Sequence, residues 1–160
     1  TSTAGMPGWN ARITDIQAAV LMVQLDRLEE LAKKRKSNSR QLMEGLSQID
    51  GIEVLPEQPG QANYFLFFRY TPSAFNKCSP DRFQDAVLAE GLSAWRLFPP
   101  NYRHPKFVSP YDYSDANCPF AEEASQDSFM IPHPMLLGDK EETDLVIEAI
   151  VKLHKNSKEL

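Results

Sequence analysis

The stretch Gly8 to Leu31 reads GWNARITDIQAAVLMVQLDRLEEL, and it sets an amide and a guanidinium, Asn10 and Arg12, directly ahead of a helix start. Backbone N–H groups and the helix dipole favour an anion at such a place, and Asn and Arg side chains are suitable donors to a phosphate. The plainer alternative has Asn10 making a turn and Arg12 pairing with Asp15 or another surface acid, and residue chemistry alone favours it. Other chemistries find less support. His104, His133 and His154 do not cluster with each other or with the two cysteines at metal-ligand spacing, so no metal site is expected. Cys118 and His133 could be drawn as a nucleophile and its base, yet an isolated Cys is more often a small buried hydrophobe. Gly5 and Gly8 precede a helix without the strand that a phosphate-binding glycine loop requires.

The elements that must position these residues follow from local signals. Thr14 with Gln17 is a capping box, so a helix is expected to begin near Asp15. Its AAVLMVQL segment is apolar around the whole circumference because Ile16, Val20 and Val23 add a second face to the stripe Leu21, Leu25, Leu28 and Ala32. A helix apolar all round must be buried on all sides. Beyond it, Glu29 with Lys33 and Glu30 with Lys34 mark a wet face. Nothing periodic stops the helix before Gln48, so one long helix, with room for a kink, is expected to end ahead of the Asp50-Gly51 turn.

Two strands, GIEVLP and NYFLFFRY, are expected to pair after that turn. Ser79 as cap, Pro80 in the first turn and Gly91 past the end bound a helix over about Pro80 to Glu90, and LSAWRLF reads as a return strand. PPNYRHPKFVSPYDYSDANC, from Pro99 to Cys118, has no usable period; a long irregular stretch in a compact domain is usually a functional loop. A short helix around Phe120 to Ser125 and the strand SFMIP come next. Asp139 and Glu142 then cap a last amphipathic helix with Leu145, Val146, Ala149, Ile150 and Leu153 on its apolar side. The expected class is α+β: a long N-terminal helix leading into a small mixed or antiparallel sheet with helices on one face. Residues 1–50 are read as turn and long helix, and 51–160 as a small α+β domain.

Composition narrows the function classes. The 160 residues carry a formal net charge of −5 and 42% hydrophobic residues, enough for a real core and without the basic footprint of a nucleic-acid binder. Cys78 and Cys118 stand alone, as reduced thiols do, which points to a cytoplasmic protein. No run approaches the roughly 18 apolar residues of a membrane span. TSTAGMPGWN has neither the basic start nor the apolar middle of a signal peptide, and no initiating Met.

The residues Gly8, Asn10, Arg12, Thr14, Gln17, Ala18, Ala19, Gln24, Leu25 and Arg35 resemble the signature of DegT/DnrJ/StrS-type sugar aminotransferases. The aromatic strand around Tyr64 to Tyr70, the YRHPKF loop and the CPFAEEASQDSFMIPHP run agree with that family in order. The resemblance implies pyridoxal 5'-phosphate chemistry on a fold-type I scaffold, of which this chain is similar to the C-terminal small domain. In that family an upstream large domain carries the Schiff-base Lys and an Asp paired with the pyridinium nitrogen. No Lys here sits in the family's Lys context, so the chain taken alone is expected to be inactive and not to hold the cofactor.

By the same resemblance, Asn10 would reach across a homodimer to the cofactor phosphate of the other subunit, and Arg12 would line that shared site. The doubly apolar helix would pack on the large domain and on the dimer partner. Tyr102, Arg103 and His104 become candidates for a substrate loop. Where sugar-nucleotide members commonly have a His, this chain has Tyr102, as in the cyclitol and aminohydroxybenzoate branch. Amino transfer from glutamate or glutamine to a keto sugar or keto cyclitol is the implied reaction. The alternative is a truncated, non-catalytic paralogue that dimerises or regulates.

Overall fold

The computed structural model describes residues 12–104, 112–113 and 115–160. The first helix, α1 (Asp15–Asp26), opens on the expected capping box: Gln17 N–H donates to Thr14 Oγ1 at 3.3 Å, and Thr14 N–H donates to Gln17 Oε1 at 2.9 Å. The long helix expected, with room for a kink, is interrupted at one residue and so forms two segments. Arg27, at φ −92° and ψ −9°, separates α1 from α2 (Leu28–Leu46) without Pro or Gly at the break.

The two helices have opposite fates. α1 buries none of its residues, and Ile16 is 80% exposed. α2 sinks Leu42 and Leu46 into the core. The apolar stripe at Leu21, Leu25 and Leu28 faces outward, as the implied packing on partners outside this chain requires. The buried face of α2 lies further along and includes Asn38, whose amide donates to the carbonyls of Leu136 at 3.0 Å and Gly138 at 2.9 Å. The cations that pair from α2 reach across the fold: Lys36 Nζ and Arg40 Nε lie 3.4 and 3.2 Å from Glu57.

Four antiparallel strands follow in the spatial order β1-β2-β4-β3: β1 (Ile52–Val54), β2 (Phe65–Tyr70), β3 (Trp95–Arg96) and β4 (Ser128–Pro132). The expected pairing of the first two strands is present, with Ile52 opposite Tyr70. The return strand contracts to two residues at the sheet edge, where Pro99 and Pro100 follow without an N–H to donate to a ladder. Alternation along β2 sends Leu66, Phe68 and Tyr70 into the core, where Phe129 and Ile131 of β4 join them.

Helices α2, α3 (Pro80–Ala89) and α5 (Lys140–Lys155) cover that face with Leu42, Phe83, Val87, Val146 and Ile150. Both flanking caps form as expected, Ser79 for α3 and the Asp139–Glu142 box for α5. Leu145 was read on the apolar side of α5 but is 59% exposed, and Thr143 takes a buried place with its hydroxyl on the Asp139 carbonyl at 2.9 Å. Tyr70 is the hub of the aromatic core: its ring stacks on Phe83 at 4.2 Å and its hydroxyl donates to the Cys78 carbonyl at 3.0 Å. Burial, and then neighbouring Cys78, raise its phenol far above the ordinary range.

The turn into β1 depends on one glycine. Gly51 has φ +80°, and a Cβ there would meet the Ala74 methyl and lie 3.2 Å from the Thr71 carbonyl, whose own N–H donates to Gly51 O at 2.8 Å. Gly51→Ala is expected to cost about 2–4 kcal/mol, combining left-handed strain with overpacking. Gly60→Ala shares the positive φ (+78°) but meets nothing within 4 Å. It should carry the strain alone, about 1–2 kcal/mol. Urea melts of both variants at unchanged slope check this, and equal midpoints would contradict the packing argument.

Candidate functional site

The described part of the irregular loop begins as a 3-10 turn, Asn101–Arg103, and leads toward α4 (Pro119–Asp127). Glu122, in the first turn of α4, draws both candidate side chains onto one oxygen. Tyr102 Oη donates to Glu122 Oε1 at 2.6 Å, and Arg103 Nε donates to the same atom at 2.6 Å. That hydrogen bond raises the Tyr102 phenol above its ordinary value, with partial burial and the Glu122 charge adding to it. His104 ends the turn with its N–H on the Asn101 carbonyl at 3.0 Å. The structure thus groups Tyr102 and Arg103 through an acid 20 residues away, whose only signal in the sequence is its place in the CPFAEEASQDSFMIPHP run.

α4 is itself clamped to the sheet. Arg69, which alternates away from the core face of β2, bonds Asp127 Oδ2 at 2.6 Å and also Glu123. Arg96 of β3 donates to the carbonyls of Ser125 at 3.2 Å and Gln126 at 3.0 Å, and its other arm bonds Asp81 at 2.5 Å. Two arginines from the strands on either side of β4 therefore hold α4, Arg69 through its carboxylates and Arg96 through carbonyls at its C-terminal end, where such groups await donors.

At the other end of β4, His133 stacks on Tyr64 with ring centroids 4.5 Å apart. Cys118 is exposed ahead of α4, whereas His133 follows the end of β4. Neighbouring Asn63 is 1% exposed at φ +50°, and neither atom of its carboxamide finds a partner among the described residues. It belongs to the wall of a cavity of about 560 Å³ between α2 and the segment before β2. Its only sequence signal is its type: Asn tolerates the left-handed region. Among the described residues no three His, Cys, Asp or Glu side chains converge.

The remaining candidates lie at the other end of the chain. Asn10 falls outside the described residues. Arg12 is exposed, just ahead of the Thr14 cap of α1.

The sequence pattern of the DegT/DnrJ/EryC1/StrS aminotransferase family matches residues 1–151. The chain belongs to this family. An L-glutamine:2-deoxy-scyllo-inosose aminotransferase of Micromonospora echinospora is 29% identical over 174 aligned residues, covering 99% of this chain and 41% of that protein. The crystal structure of 3-amino-5-hydroxybenzoic acid synthase superposes with a TM-score of 0.78 at 26% identity, covering 94% of this chain and 41% of that one. An aminotransferase from Psychrobacter cryohalolentis shares the fold, with a TM-score of 0.79 at 20% identity over 99% of this chain and 45% of its own. The chain thus spans about 40% of the length of the curated relatives it matches. Within the family its α+β architecture is that of the small domain of a fold-type I aminotransferase.

Proposed function

We propose that this chain is the C-terminal part of a pyridoxal-phosphate-dependent aminotransferase that moves an amino group from glutamine or glutamate to a keto cyclitol or keto sugar. Family membership over residues 1–151 carries the reading. Tyr102, at the position where sugar-nucleotide members commonly have a His, supports the cyclitol side. The exposed α1 supports a division in which residues 1–50 link domains and 51–160 form the small domain, with the second half of α2 docked into its core. A large cofactor-binding domain and a homodimer partner would together cover α1, since apolar surfaces of several hundred Å² rarely stay open to water. A cytoplasmic setting accords with the two unpaired cysteines, and no described helix is long and apolar enough to cross a membrane.

The donor set near α1 suits one end of the cofactor. An amide at Asn10 and a guanidinium at Arg12 are phosphate donors, while the Thr14–Gln17 box already occupies the Gln17 N–H. A phosphate here would rest on side chains more than on the helix end. Tyr102, Arg103 and His104 would face the acceptor. When bound, the cofactor supplies an electron sink for the amino transfer. The lysine that anchors it belongs to the proposed large domain.

The test is amino transfer by the full-length protein supplied with pyridoxal phosphate, L-glutamine and 2-deoxy-scyllo-inosose. An aminocyclitol product, with glutamine consumed in equal amount, is expected. Cofactor binding without transfer to any keto cyclitol or keto sugar would defeat the proposal and favour a non-catalytic paralogue.

A further inference from the structure

We propose that Glu122 is a positioning residue that makes Tyr102 and Arg103 a recognition pair for a ring hydroxyl. The proposal rests on the aminotransferase reading for its biological setting, and on the geometry around Glu122 for its chemistry. Oε1 of Glu122 accepts from Tyr102 Oη and Arg103 Nε at 2.6 Å each. Glu122 is a rigid platform because α4 is fixed at its far end by Arg69 and Arg96. Its side chain is only 20% exposed, against 64% for Arg103.

The consequence is a fixed polarity. A phenol has one proton, and here it is committed to Glu122; with the Cys118 backbone N–H already on the oxygen, Tyr102 Oη offers an incoming group only its remaining lone pair. A guanidinium only donates. A ligand group that meets both must donate to one and accept from the other, which a hydroxyl does. A ketone or a carboxylate cannot donate to Tyr102. The pair therefore selects a hydroxyl of a polyol ring and not its keto oxygen, and it leaves the reacting carbonyl free to be placed elsewhere.

The ionisable groups acting on Tyr102 are Glu122 and Cys118, and Arg103 pairs with the same Glu122 oxygen. Of these, Glu122 alone accepts the phenol proton at hydrogen-bond distance.

The experiment uses the full-length protein and myo-inositol as the probe. Binding is measured by calorimetry for the parent, Glu122→Gln, Glu122→Ala and Tyr102→Phe, with thermal melts to confirm equal folding. A glutamine carbonyl still accepts from both donors, so E122Q should bind within about threefold of the parent. Glu122→Ala frees both side chains and should weaken binding at least about tenfold, as should Tyr102→Phe. Ultraviolet titration of the phenol, taken as the difference from Tyr102→Phe, should move down toward the ordinary tyrosine value in Glu122→Ala; a merely structural glutamate would leave it in place. Equal inositol affinity in parent and Glu122→Ala, or an unshifted phenol titration, overturns the proposal. A protein that passes both tests yet transfers no amino group would retain the hydroxyl site and lose the aminotransferase reading alone.

Discussion

Phe68→Ala is expected to lower the stability of the chain by about 3–5 kcal/mol, a large share of the roughly 5–15 kcal/mol that holds a domain together. Phe68 is 0% exposed and stacks on Phe129 at 5.5 Å. It sits in the second strand of the four, between Val54 and Phe129 in the register. Removing the ring opens a void against neighbours that backbone hydrogen bonds hold in place, so collapse into it is limited. Phe98→Ala provides the contrast: at 71% exposure it should change stability by no more than about 0.5 kcal/mol. Urea denaturation of both variants decides the matter. A Phe68→Ala midpoint close to the parent's would mean that the sheet–helix interface is not the dominant core.

The second large effect belongs to the full-length protein, where Asn10 is proposed to reach the cofactor phosphate of the opposite subunit. Asn10→Ala removes one hydrogen bond to a charged group, about 1.5–3 kcal/mol, or roughly ten- to a hundredfold in cofactor affinity. At a pyridoxal phosphate concentration near the parent's Kd, the variant should keep only about 2–20% of the parent's activity. A second variant lacking the anchoring lysine of the proposed large domain should be inactive outright. Mixed in equal amounts, they should regain about a quarter of the parent's activity: half the dimers are mixed, and one of the two sites in each combines an intact lysine with an intact Asn10. Absence of recovery after demonstrated subunit exchange would place Asn10 in its own subunit's site or in a turn.

Where the structure agrees with sequence expectation, the signals are local. Thr14 and Gln17, Ser79 and Pro80, and Asp139 and Glu142 each start a helix with groups three residues apart or fewer, so no distant contact is needed to read them. Alternation in FLFFRY likewise names the buried face of β2 without its neighbours. Family membership was also legible, because GWNARITDIQAA is a contiguous run. The break at Arg27 was not, for its flanks carry no Pro or Gly. The exposure of Leu21, Leu25 and Leu28 agrees with the resemblance, which sends this helix to partners outside the chain, whereas the apolar stripe alone looks the same whether its partner lies within the chain or outside it.

By itself, then, the sequence determined the element starts, the strand faces, the α+β class and the signature around Asn10 and Arg12, all of which rest on interactions within a few residues or on a contiguous pattern. Only the tertiary structure decided which side of α2 enters the core. On that side Leu42 and Leu46 pack in the core and Asn38 reaches carbonyls about 100 residues away. It also decided that Thr143 and not Leu145 is buried in α5, and that Tyr102 and Arg103 share Glu122. The reason is common to all three: a side chain that can hydrogen-bond or pack in several ways commits only when folding brings a particular partner within about 3 Å, and chain order does not say which partner that is.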